Sequence, residues 1–447
     1  MRNNILLLLS VFLIGITSAK AQQKTNMSLN DAVSMALSQS NEVILAKTKV
    51  DTKNYELGSM KNNRYPDVKV SGQYLRLTNA DVKLKSSNES STDPNAEPQS
   101  SPKVNQLALG QAAVNLPIFS GFKLKNSIAA SENLYNAEKA NAEYTKEGTV
   151  LKVVEYYGDL YKAQRSVELF KESLKSSQQR VTDFTAMEQN GIIARNDLLK
   201  SQLQVSKIEL SLAEAEKNVR LINYYLVTLL KMPAETQIEV NPDNIDKDLF
   251  SKPVQSEENA LGSRKDLEAL RFEKKATESN VKVAKAAYYP SLSLTGGYVA
   301  LDLQNVVNVQ NAMNVGVGLS YNLSSIFKNA KDVKVAKSRA AELEQEEAML
   351  TDKIKTEIVQ ARENYELSVK QDQVYGEAVA QATENYRIVK DKYDNGLSDT
   401  NDLLEADVDD LSAKINQAYA KANVILKYYE LLEASGQLTQ SFNLTKN

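Results

Sequence analysis

A run of acidic side chains near the end of the chain contains the residues with the clearest capacity for chemistry. Seven carboxylates and no Lys or Arg stand between positions 394 and 410; they are Asp394, Asp399, Asp402, Glu405, Asp407, Asp409 and Asp410. Asp402, Glu405 and Asp409 follow the i, i+3 and i+7 spacing of one helical stripe. The stripe is either a solvated helix face whose first-turn acids interact favourably with the helix dipole, or a functional concentration of negative charge.

The composition excludes most nucleophilic and metal chemistry. The 447 residues contain no His and no Cys, so neither a Ser-His or Cys-His system nor the usual zinc and copper ligand sets can form. A hydrolase that uses only carboxylates stays open, although no pair of acids has an evident pocket. A net charge of -3 without a basic patch argues against nucleic acid as a partner. We expect a protein that is not an enzyme and uses no cofactor and no metal.

The N-terminus has the pattern of a secretory signal peptide, which we assign to residues 1–21. Arg2 provides the positive region, an apolar run extends from Ile5 to Ile16, and Ala19-Lys20-Ala21 is a small-residue cleavage site. No later apolar run reaches the roughly 18 residues that a membrane-spanning helix requires. We therefore expect the mature chain to leave the cytoplasm without a transmembrane helix and, since it has no Cys, without a lipid anchor.

The acidic run belongs to a segment that occurs twice. Gln189–Leu199 and Asp394–Leu404 share Asn-Gly followed by Asn-Asp-Leu-Leu at identical spacing. A long internal repeat indicates a structure built from two equivalent units. Asn and Gly accept positive φ angles, so each Asn-Gly pair predicts the point at which a long helix reverses into its partner. These reversal points are Asn190 with Gly191 and Asn395 with Gly396.

Each repeat predicts the same order of elements: a helix, a β-hairpin, a long helix and a returning helix. The predicted divisions after the signal peptide are 22–232 for the first repeat with its hairpin at 65–117, 233–262 for a linker, 263–434 for the second repeat with its hairpin at 290–323, and 435–447 for a tail. One helix is predicted from Ser28 to Asn62, and the second hairpin is predicted to have a loop around 302–313. The long helices are predicted at 122–188 and 328–393, where no Pro occurs.

The returning helices carry apolar residues at alternating steps of three and four, the pattern of a coiled-coil seam. In the first repeat the seam begins Leu198, Ser201, Val205, Ile208; in the second it begins Leu404, Val408, Leu411, Ile415. The hairpin segments instead alternate apolar and polar residues, as strands with one apolar face do. Four such strands can neither close a barrel nor cover their edges, so the chain must find partners. Three copies would provide twelve strands and a closed outer-membrane barrel.

With these features the chain resembles outer-membrane efflux proteins of the TolC family. Tyr393-Asp394-Asn395-Gly396 and Asp402–Ala406 are similar to that family's Tyr-x-x-Gly and Asp-x-Leu-(Asp/Glu)-Ala signature. The resemblance covers the whole mature sequence. It implies a mainly α fold with β: long antiparallel coiled-coil helices in an α-helical barrel, plus two β-hairpins, or four strands, per chain. In a trimer these strands complete a twelve-stranded transmembrane β-barrel.

The resemblance also implies a function and a set of partners. The expected function is the outer-membrane channel of a tripartite efflux or type I secretion system, a passive gated duct with a long periplasmic extension. The expected partners are two further copies of the chain in a homotrimer, a periplasmic adaptor (membrane fusion) protein, an inner-membrane transporter of RND, ABC or MFS type, and outer-membrane lipid. The alternative is a secreted periplasmic coiled-coil scaffold or adhesin without a channel.

The matching positions imply roles for individual residues. Asp402 and Glu405 correspond to the acidic ring of the periplasmic gate, where three copies would place six carboxylates around one axis. Tyr393 corresponds to a gate latch that meets the Asp197 and Asn196 positions of the first repeat. The alternatives are that Tyr393 is only a packing residue and that Asp197 is only an acid in the first turn of its helix. The basic residue that the family often has two places after the glycine is Ser398 here. The reversals at Asn190-Gly191 and Asn395-Gly396 correspond to the tip where an adaptor docks.

Overall fold

The computed structural model describes residues 24–81, 103–240 and 257–442. The elements in chain order are β1 Lys24–Met27, α1 Leu29–Gln39, α2 Asn41–Asn62, β2 Asp67–Asp81, β3 Lys103–Ser120, α3 Lys123–Gln189, α4 Arg195–Leu229, β4 Gln237–Val240, α5 Glu257–Ser263, α6 Lys265–Ala286, β5 Ser291–Leu303, β6 Val307–Ser320, α7 Ser325–Asp394, α8 Thr400–Ala434 and α9 Leu438–Ser441. The predicted signal peptide, most of the polar loop of the first hairpin, part of the predicted linker and the end of the predicted tail lie outside the described residues.

The chain divides into two compact units. Unit 1 consists of residues 1–49, 139–268 and 348–447, and unit 2 of residues 50–138 and 269–347. No helix in the described part of the chain combines the length and the apolar character needed to cross a membrane.

Unit 2 contains a four-stranded antiparallel sheet in the order β2-β3-β5-β6. The two hairpins predicted from the alternating segments are confirmed, and β3 joins them by pairing with β5 from Leu107 to Ser120. Among the described residues, β2 and β6 each have a strand neighbour on one side only. The sheet therefore ends in two open edges.

One face of this sheet is apolar on all four strands. Directly paired residues lie on the same face, and the register places these side chains together: Val68, Val70, Tyr74, Ala112, Val114, Leu294, Tyr298, Met313, Val315 and Val317. The opposite face carries Lys69, Ser71, Gln111, Asn115, Thr295 and Asn314. The apolar face is open within the chain, with Val70 78% and Val315 85% exposed. So large an exposed apolar patch indicates contact with lipid or protein.

The loop predicted around 302–313 in the second hairpin is wrong. β5 continues to Leu303 and β6 begins at Val307, so three residues make the turn. Asn305 provides the left-handed conformation that the turn needs, with a φ of 60°, a region that Asn tolerates better than most residues. The start of β6 was not recognised because the alternation of apolar and polar residues is interrupted at Gln310 and Asn311, where the register between β5 and β6 shifts.

The single helix predicted from Ser28 to Asn62 is interrupted at Ser40. This residue is extended, with a ψ of 142°, and its side-chain oxygen accepts a hydrogen bond from the Val43 N–H at 3.4 Å. The side chain thus satisfies one of the free donors at the start of α2. The interruption gives α1 its own direction, and α1 buries Ala32 and Ala36 completely in the core of unit 1.

The core of unit 1 gathers residues from both repeats. Val150, Leu160, Leu226 and Tyr428 are buried together with residues of α1. Burying an apolar side chain of this size stabilises the fold by about 1.5–3 kcal/mol. Two elements that the sequence patterns did not predict border this core: β1 and β4, which pair in parallel from Lys24–Gln237 to Met27–Val240. Each strand has four residues, too few for an alternating pattern to be recognised.

The long helices are confirmed as α3 with 67 residues and α7 with 70 residues. The seam predicted on α4 is confirmed, since Leu198, Ser201 and Ile208 are buried. On α8 the predicted seam of Leu404, Val408, Leu411 and Ile415 is wrong by one or two positions near the start of the helix. The buried side chains there are Leu403, Ala406, Asp410 and Ala413, whereas Val408 is 38% exposed. The small alanines allow close helix packing, which leaves the neighbouring stripe of larger side chains half-buried in a single chain.

Candidate functional site

The two repeats reverse direction through the same backbone structure in unit 1. After α3, Gly191 has a φ of 69°, and after α7, Gly396 has a φ of 71°. The Ile192 N–H donates to the Met187 carbonyl at 2.9 Å, and the Leu397 N–H donates to the Lys392 carbonyl at 2.8 Å. These six-residue closures are Schellman caps, in which glycine adopts the left-handed conformation and satisfies the last carbonyls of a helix.

The asparagines that precede the glycines have identical roles. The side-chain amide of Asn190 donates to the Ala186 carbonyl at 2.7 Å, and that of Asn395 donates to the Asp391 carbonyl at 2.7 Å. Each of these carbonyls also accepts the backbone N–H of the same asparagine, at 3.2 Å for Asn190 and 3.3 Å for Asn395, so the asparagine is held to the last turn by two bonds. Both Asn-Gly pairs therefore lie at helix reversals, and each leaves an apolar side chain exposed just after the glycine. Ile192 is 67% and Leu397 is 78% exposed.

The returning helices begin differently in the two repeats. Asp399 caps α8, because its carboxylate accepts hydrogen bonds from the N–H groups of Asn401 at 2.8 Å and Asp402 at 3.0 Å. The corresponding cap of α4 is Ala194, which makes no side-chain bond. An Asp cap contributes about 1 kcal/mol to helix stability relative to Ala. The second reversal is thus held more firmly at its return than the first.

Several acids of the run between 394 and 410 have partners. The Ser398 hydroxyl donates to Asp402 at 2.8 Å, and Asp407 accepts a hydrogen bond from the Arg180 guanidinium at 2.9 Å. Asp410 is buried and accepts bonds from the side chains of Thr383 at 2.6 Å and Lys414 at 2.7 Å.

Two acids of the predicted stripe remain open to solvent. Glu405 and Asp409 are exposed, and neither has a hydrogen-bond or ion-pair partner among the described residues. Asp402 is also exposed, although Ser398 contacts one of its oxygens. Asp402 and Glu405 therefore lie on an open helix surface in the single chain. No group of three or more acids in the described part of the chain has the arrangement of a metal site.

Tyr393 lies between the two helical hairpins. Its ring stacks on Phe184 with 5.7 Å between centroids and 28° between planes. Its hydroxyl oxygen is buried and accepts or donates no hydrogen bond of normal geometry within the described residues. Burial raises the pKa of this hydroxyl, Thr400 opposes the rise, and the negative charge of Asp197 adds to it.

The other two candidate latch residues do not bond to Tyr393. Asp197 lies 3.8 Å from the ammonium of Lys200, and Asn196 is exposed. The structure therefore brings Asp197 close enough to influence Tyr393 electrostatically, but it makes no direct hydrogen bond between them.

An apolar cluster joins the two hairpins next to the reversals. Phe184 of α3, Leu198 of α4 and Leu403 of α8 are buried together, and Tyr393 packs against them. Each repeat contributes its first Leu of Asn-Asp-Leu-Leu to this cluster, which explains why that motif occurs in both. At the surface, the Lys200 ammonium donates to the Asn401 side-chain oxygen at 2.8 Å and forms a second link between the hairpins.

A buried arginine was not recognised from the sequence. Arg180 of α3 is 8% exposed, and its two terminal nitrogens donate to Asp407 of α8 at 2.9 Å and to the Tyr386 hydroxyl of α7 at 3.1 Å. Burial lowers the pKa of Arg180, but the bonds to Asp407 outweigh that effect and the pKa is raised. The available signal was its spacing: Ser177, Arg180 and Phe184 stand at i, i+3 and i+7 on one buried face of α3.

The architecture is that of an outer-membrane channel. The chain is mostly helical, its long helices are paired through two equivalent reversals, and its four strands share one apolar face. The family model described as outer membrane efflux protein matches residues 32–230 and 258–437. Because these ranges include most of the chain, the protein belongs to the outer membrane efflux protein family.

Individual relatives and solved structures agree with this assignment. The outer membrane efflux protein BepC of Brucella suis biovar 1 (strain 1330) is 23% identical over 328 residues, which are 73% of this chain and 71% of BepC. The CmeC outer membrane channel of Campylobacter jejuni has a similar fold, with a TM-score of 0.79, 19% identity, and coverage of 92% of this chain and 86% of CmeC. A membrane protein from Pseudomonas aeruginosa has a TM-score of 0.80, 16% identity, and coverage of 91% and 90%.

These findings confirm the resemblance and, for the single chain, the mainly α fold with two β-hairpins that the sequence predicts. The family and the fold are those of outer-membrane efflux channels, and the outer membrane is the location of the protein. The alternative, a secreted periplasmic coiled-coil scaffold or adhesin without a channel, is not favoured.

Proposed function

We propose that the protein is a passive, gated duct that acts as a homotrimer in a tripartite efflux or type I secretion system. The observation that carries this proposal is the sheet of unit 2, which has one exposed apolar face and two open edges. Exposed strand edges must be paired or covered in a stable protein. Twelve strands from three copies would pair every edge, present the apolar face to lipid and line the interior with the polar face.

The duct requires no chemistry of its own. In this proposal the chain is not an enzyme and holds no cofactor, and the energy for export comes from an inner-membrane transporter of RND, ABC or MFS type. A periplasmic adaptor protein would dock at the helix reversals Asn190-Gly191 and Asn395-Gly396. Support for that docking surface comes from the exposed side chains of Ile192 and Leu397, which rigid glycine caps hold at the ends of the hairpins. The functional halves are repeats 22–232 and 263–434, with the linker 233–262 between them.

The gate of the proposed duct is a ring formed by Asp402 and Glu405. Three copies would place six carboxylates around one axis, and such a ring favours cations and repels anions. Both side chains are exposed in the single chain, and Glu405 has no partner among the described residues. The supporting latch in this proposal consists of Tyr393, Asp197 and Asn196, with the buried hydroxyl of Tyr393 free to bond when the hairpins shift.

Single-channel recording tests both the duct and the ring. The purified protein is inserted in planar lipid bilayers, and La³⁺ is added on the side of the helix reversals. We expect wild type to conduct and to be blocked, and the double variant Asp402→Asn with Glu405→Gln to lose at least about 10-fold in apparent affinity for La³⁺, since the six charges are removed. A matched control is Glu209→Gln with Glu214→Gln, two exposed acids on α4.

Three results would contradict the proposal at different levels. A wild-type protein that leaves membranes without detergent, or runs only as a monomer before heating, contradicts the trimeric barrel. Equal La³⁺ block of wild type and the Asp402 and Glu405 double variant contradicts the ring alone. Loss of block in the α4 control would show that general surface charge, and not the ring, attracts the cation.

A further inference from the structure

We propose that a collar of eight basic side chains, at the end of the unit 2 sheet where the helices join it, binds the anionic headgroups of phospholipids in the adjacent membrane leaflet. This inference rests on the proposed barrel, because the sheet has to lie in the membrane. The collar consists of Lys61, Arg64, Lys123, Lys125, Lys282, Lys285, Lys328 and Lys331.

The register of the sheet brings these distant residues to one end. Asp67 at the start of β2 lies opposite Asn115 of β3. Ser291 at the start of β5 lies between Ser120 of β3 and Ser320 of β6. The helices α2 and α6 therefore enter the sheet at this end, and α3 and α7 leave it there. Each of the four junctions between a helix and a strand carries two residues of the collar.

Close contacts hold three of the junctions together. The side-chain amide of Asn329 on α7 is buried and donates to the Ala284 carbonyl of α6 at 2.8 Å. Gly121 before α3 has a φ of 62°, and a Cβ at this position would lie 2.6 Å from the Ala286 carbonyl oxygen. Only glycine permits α3 to begin so close to the end of α6. The basic side chains of these helices are thus kept near one another.

The positive charge of the collar is not neutralised within the chain. In residues 61–67, 120–131, 282–291 and 320–332 the only acids are Asp67 and Asp332, which leaves an excess of six positive charges. All eight basic side chains are exposed, and none forms an ion pair within residues 24–81, 103–240 and 257–442.

Basic residues of the same helices that lie further from the sheet are paired instead. Lys53 of α2 contacts Glu56 at 2.8 Å, and Lys274 of α6 contacts Glu347 of α7 at 3.0 Å. Three copies in the proposed trimer would bring three such excesses to the same level. Neighbouring copies therefore cannot neutralise one another there, and the negative charge has to come from another partner.

The collar borders the face that the proposed barrel presents to lipid. The apolar face begins at Val68, and exposed aromatic rings lie beside it, with Tyr65 69% and Phe327 84% exposed. Aromatic residues are enriched at membrane interfaces, and barrels have an aromatic girdle at each edge of the apolar band. Lysine side chains next to such a girdle can extend their ammonium groups to the headgroups. Anionic lipid attracts basic residues in this position.

Lipid binding by the full-length trimer in neutral detergent tests the collar. The delipidated protein is titrated with short-chain phosphatidylglycerol, which is anionic, and with short-chain phosphatidylcholine, which has no net charge, and native mass spectrometry counts the bound lipids. We expect wild type to bind phosphatidylglycerol at least about 10-fold more tightly, because each basic side chain at an anionic surface contributes about 5-fold. About 1 M ammonium acetate should reduce the preference strongly, since the Debye length falls to about 3 Å.

A collar variant removes half of the positive charges. It combines Lys282→Gln, Lys285→Gln, Lys328→Gln and Lys331→Gln. Its affinity for phosphatidylglycerol should fall at least about 10-fold, while its affinity for phosphatidylcholine stays that of wild type.

A matched control removes four exposed lysines that lie away from the sheet on α2 and α4. It combines Lys47→Gln, Lys49→Gln, Lys207→Gln and Lys217→Gln. This variant has the same net charge as the collar variant, so it separates a local site from the total charge of the protein. Both lipids should bind to it as they bind to wild type.

The proposal is overturned if wild type binds both lipids equally, if the collar variant keeps the preference, or if the control loses as much as the collar variant. If the collar variant does not assemble, its α6 pair and its α7 pair are tested separately, and each should lose at least about 5-fold. Failure of both pairs to form trimers would assign the collar to contacts between copies and would also overturn it. Failure of wild type to enter bilayers of either lipid would refute the proposed barrel, whereas insertion with equal binding of both lipids refutes the collar alone.

Discussion

Glu147 provides a pH-dependent probe of the fold in unit 1. This carboxyl group on α3 is 1% exposed and accepts a hydrogen bond from the Thr439 hydroxyl of α9 at 3.2 Å. Burial raises the pKa of Glu147 from its ordinary value of 4.5 to about 7. The bond from Thr439 and the charges of Arg264 and Lys265 oppose the rise, while Glu433 adds to it.

The sign of the effect follows from the raised pKa. Folded protein binds a proton at Glu147 that unfolded protein releases above pH 4.5, so the stabilisation is fully present below pH 4.5 and is lost as the pH rises through about 7. With about 1.36 kcal/mol per pKa unit, the contribution falls by about 2 kcal/mol between about pH 5.5 and pH 8.5. That difference corresponds to a change of about 30-fold in the equilibrium for local opening.

Amide hydrogen exchange of α9 measures this opening directly. We compare wild type with Glu147→Gln at each pH, so that the intrinsic pH dependence of exchange cancels. At pH ~5.5 the two proteins should show similar protection at residues 438–441, because the neutral acid resembles the amide. At pH ~8.5 wild type should exchange up to about 30-fold faster than the variant.

A surface acid on the same helix supplies the control. Glu143 is paired with Lys146 at 2.8 Å, and its side chain is 45% exposed, so Glu143→Gln should leave α9 protection unchanged at both pH values. The reasoning is refuted if the protection ratio of wild type to Glu147→Gln is the same at both pH values, since a buried carboxyl with a raised pKa must produce a pH-dependent ratio.

Two further predictions concern the reversals and the sheet. Gly396→Ala should destabilise the protein by about 1–2 kcal/mol, because a φ of 71° is unfavourable for Ala. Gly58→Ala inside α2 should instead stabilise the protein by about 1 kcal/mol. Thermal unfolding measures both changes, and equal effects would contradict the left-handed cap at Gly396. Val315→Lys on the apolar face should lower the stability of the protein in the membrane by about 2–4 kcal/mol. Asn314→Lys on the polar face should leave this stability unchanged. The yield of the proposed heat-modifiable trimer checks this prediction, and equal yields for the two variants would contradict the assignment of the apolar face to lipid.

Long elements were predictable because they repeat one physical signal many times. The Pro-free helices α3 and α7 and the alternating strands β2, β3, β5 and β6 carry periodic patterns over ten residues or more. Single exceptions do not obscure such long patterns. Duplication added a second copy of each signal. The Asn-Gly reversals were predictable for a different reason, because few residues other than Gly accept the φ that a Schellman cap needs.

Short or long-range features were not predictable from local patterns. The break at Ser40 depends on one side-chain bond, and β1 and β4 depend on pairing between distant segments. On α8 two adjacent apolar stripes were both plausible seams, and only packing against the other helices buries the one with Ala406 and Ala413. Arg180 and Asp407 are far apart in sequence, so the run of acids suggested seven free charges where the fold pairs several of them.

The short parallel pair of β1 and β4 has a consequence for the order in which the protein folds. Lys24 of β1 and Glu239 of β4 form an ion pair across 215 sequence positions. Closing a loop of that length is entropically costly and slows folding. If the chain crosses the inner membrane N-terminus first, β1 arrives in the periplasm long before its partner. β1 must then wait unpaired until the first repeat and β4 have been delivered.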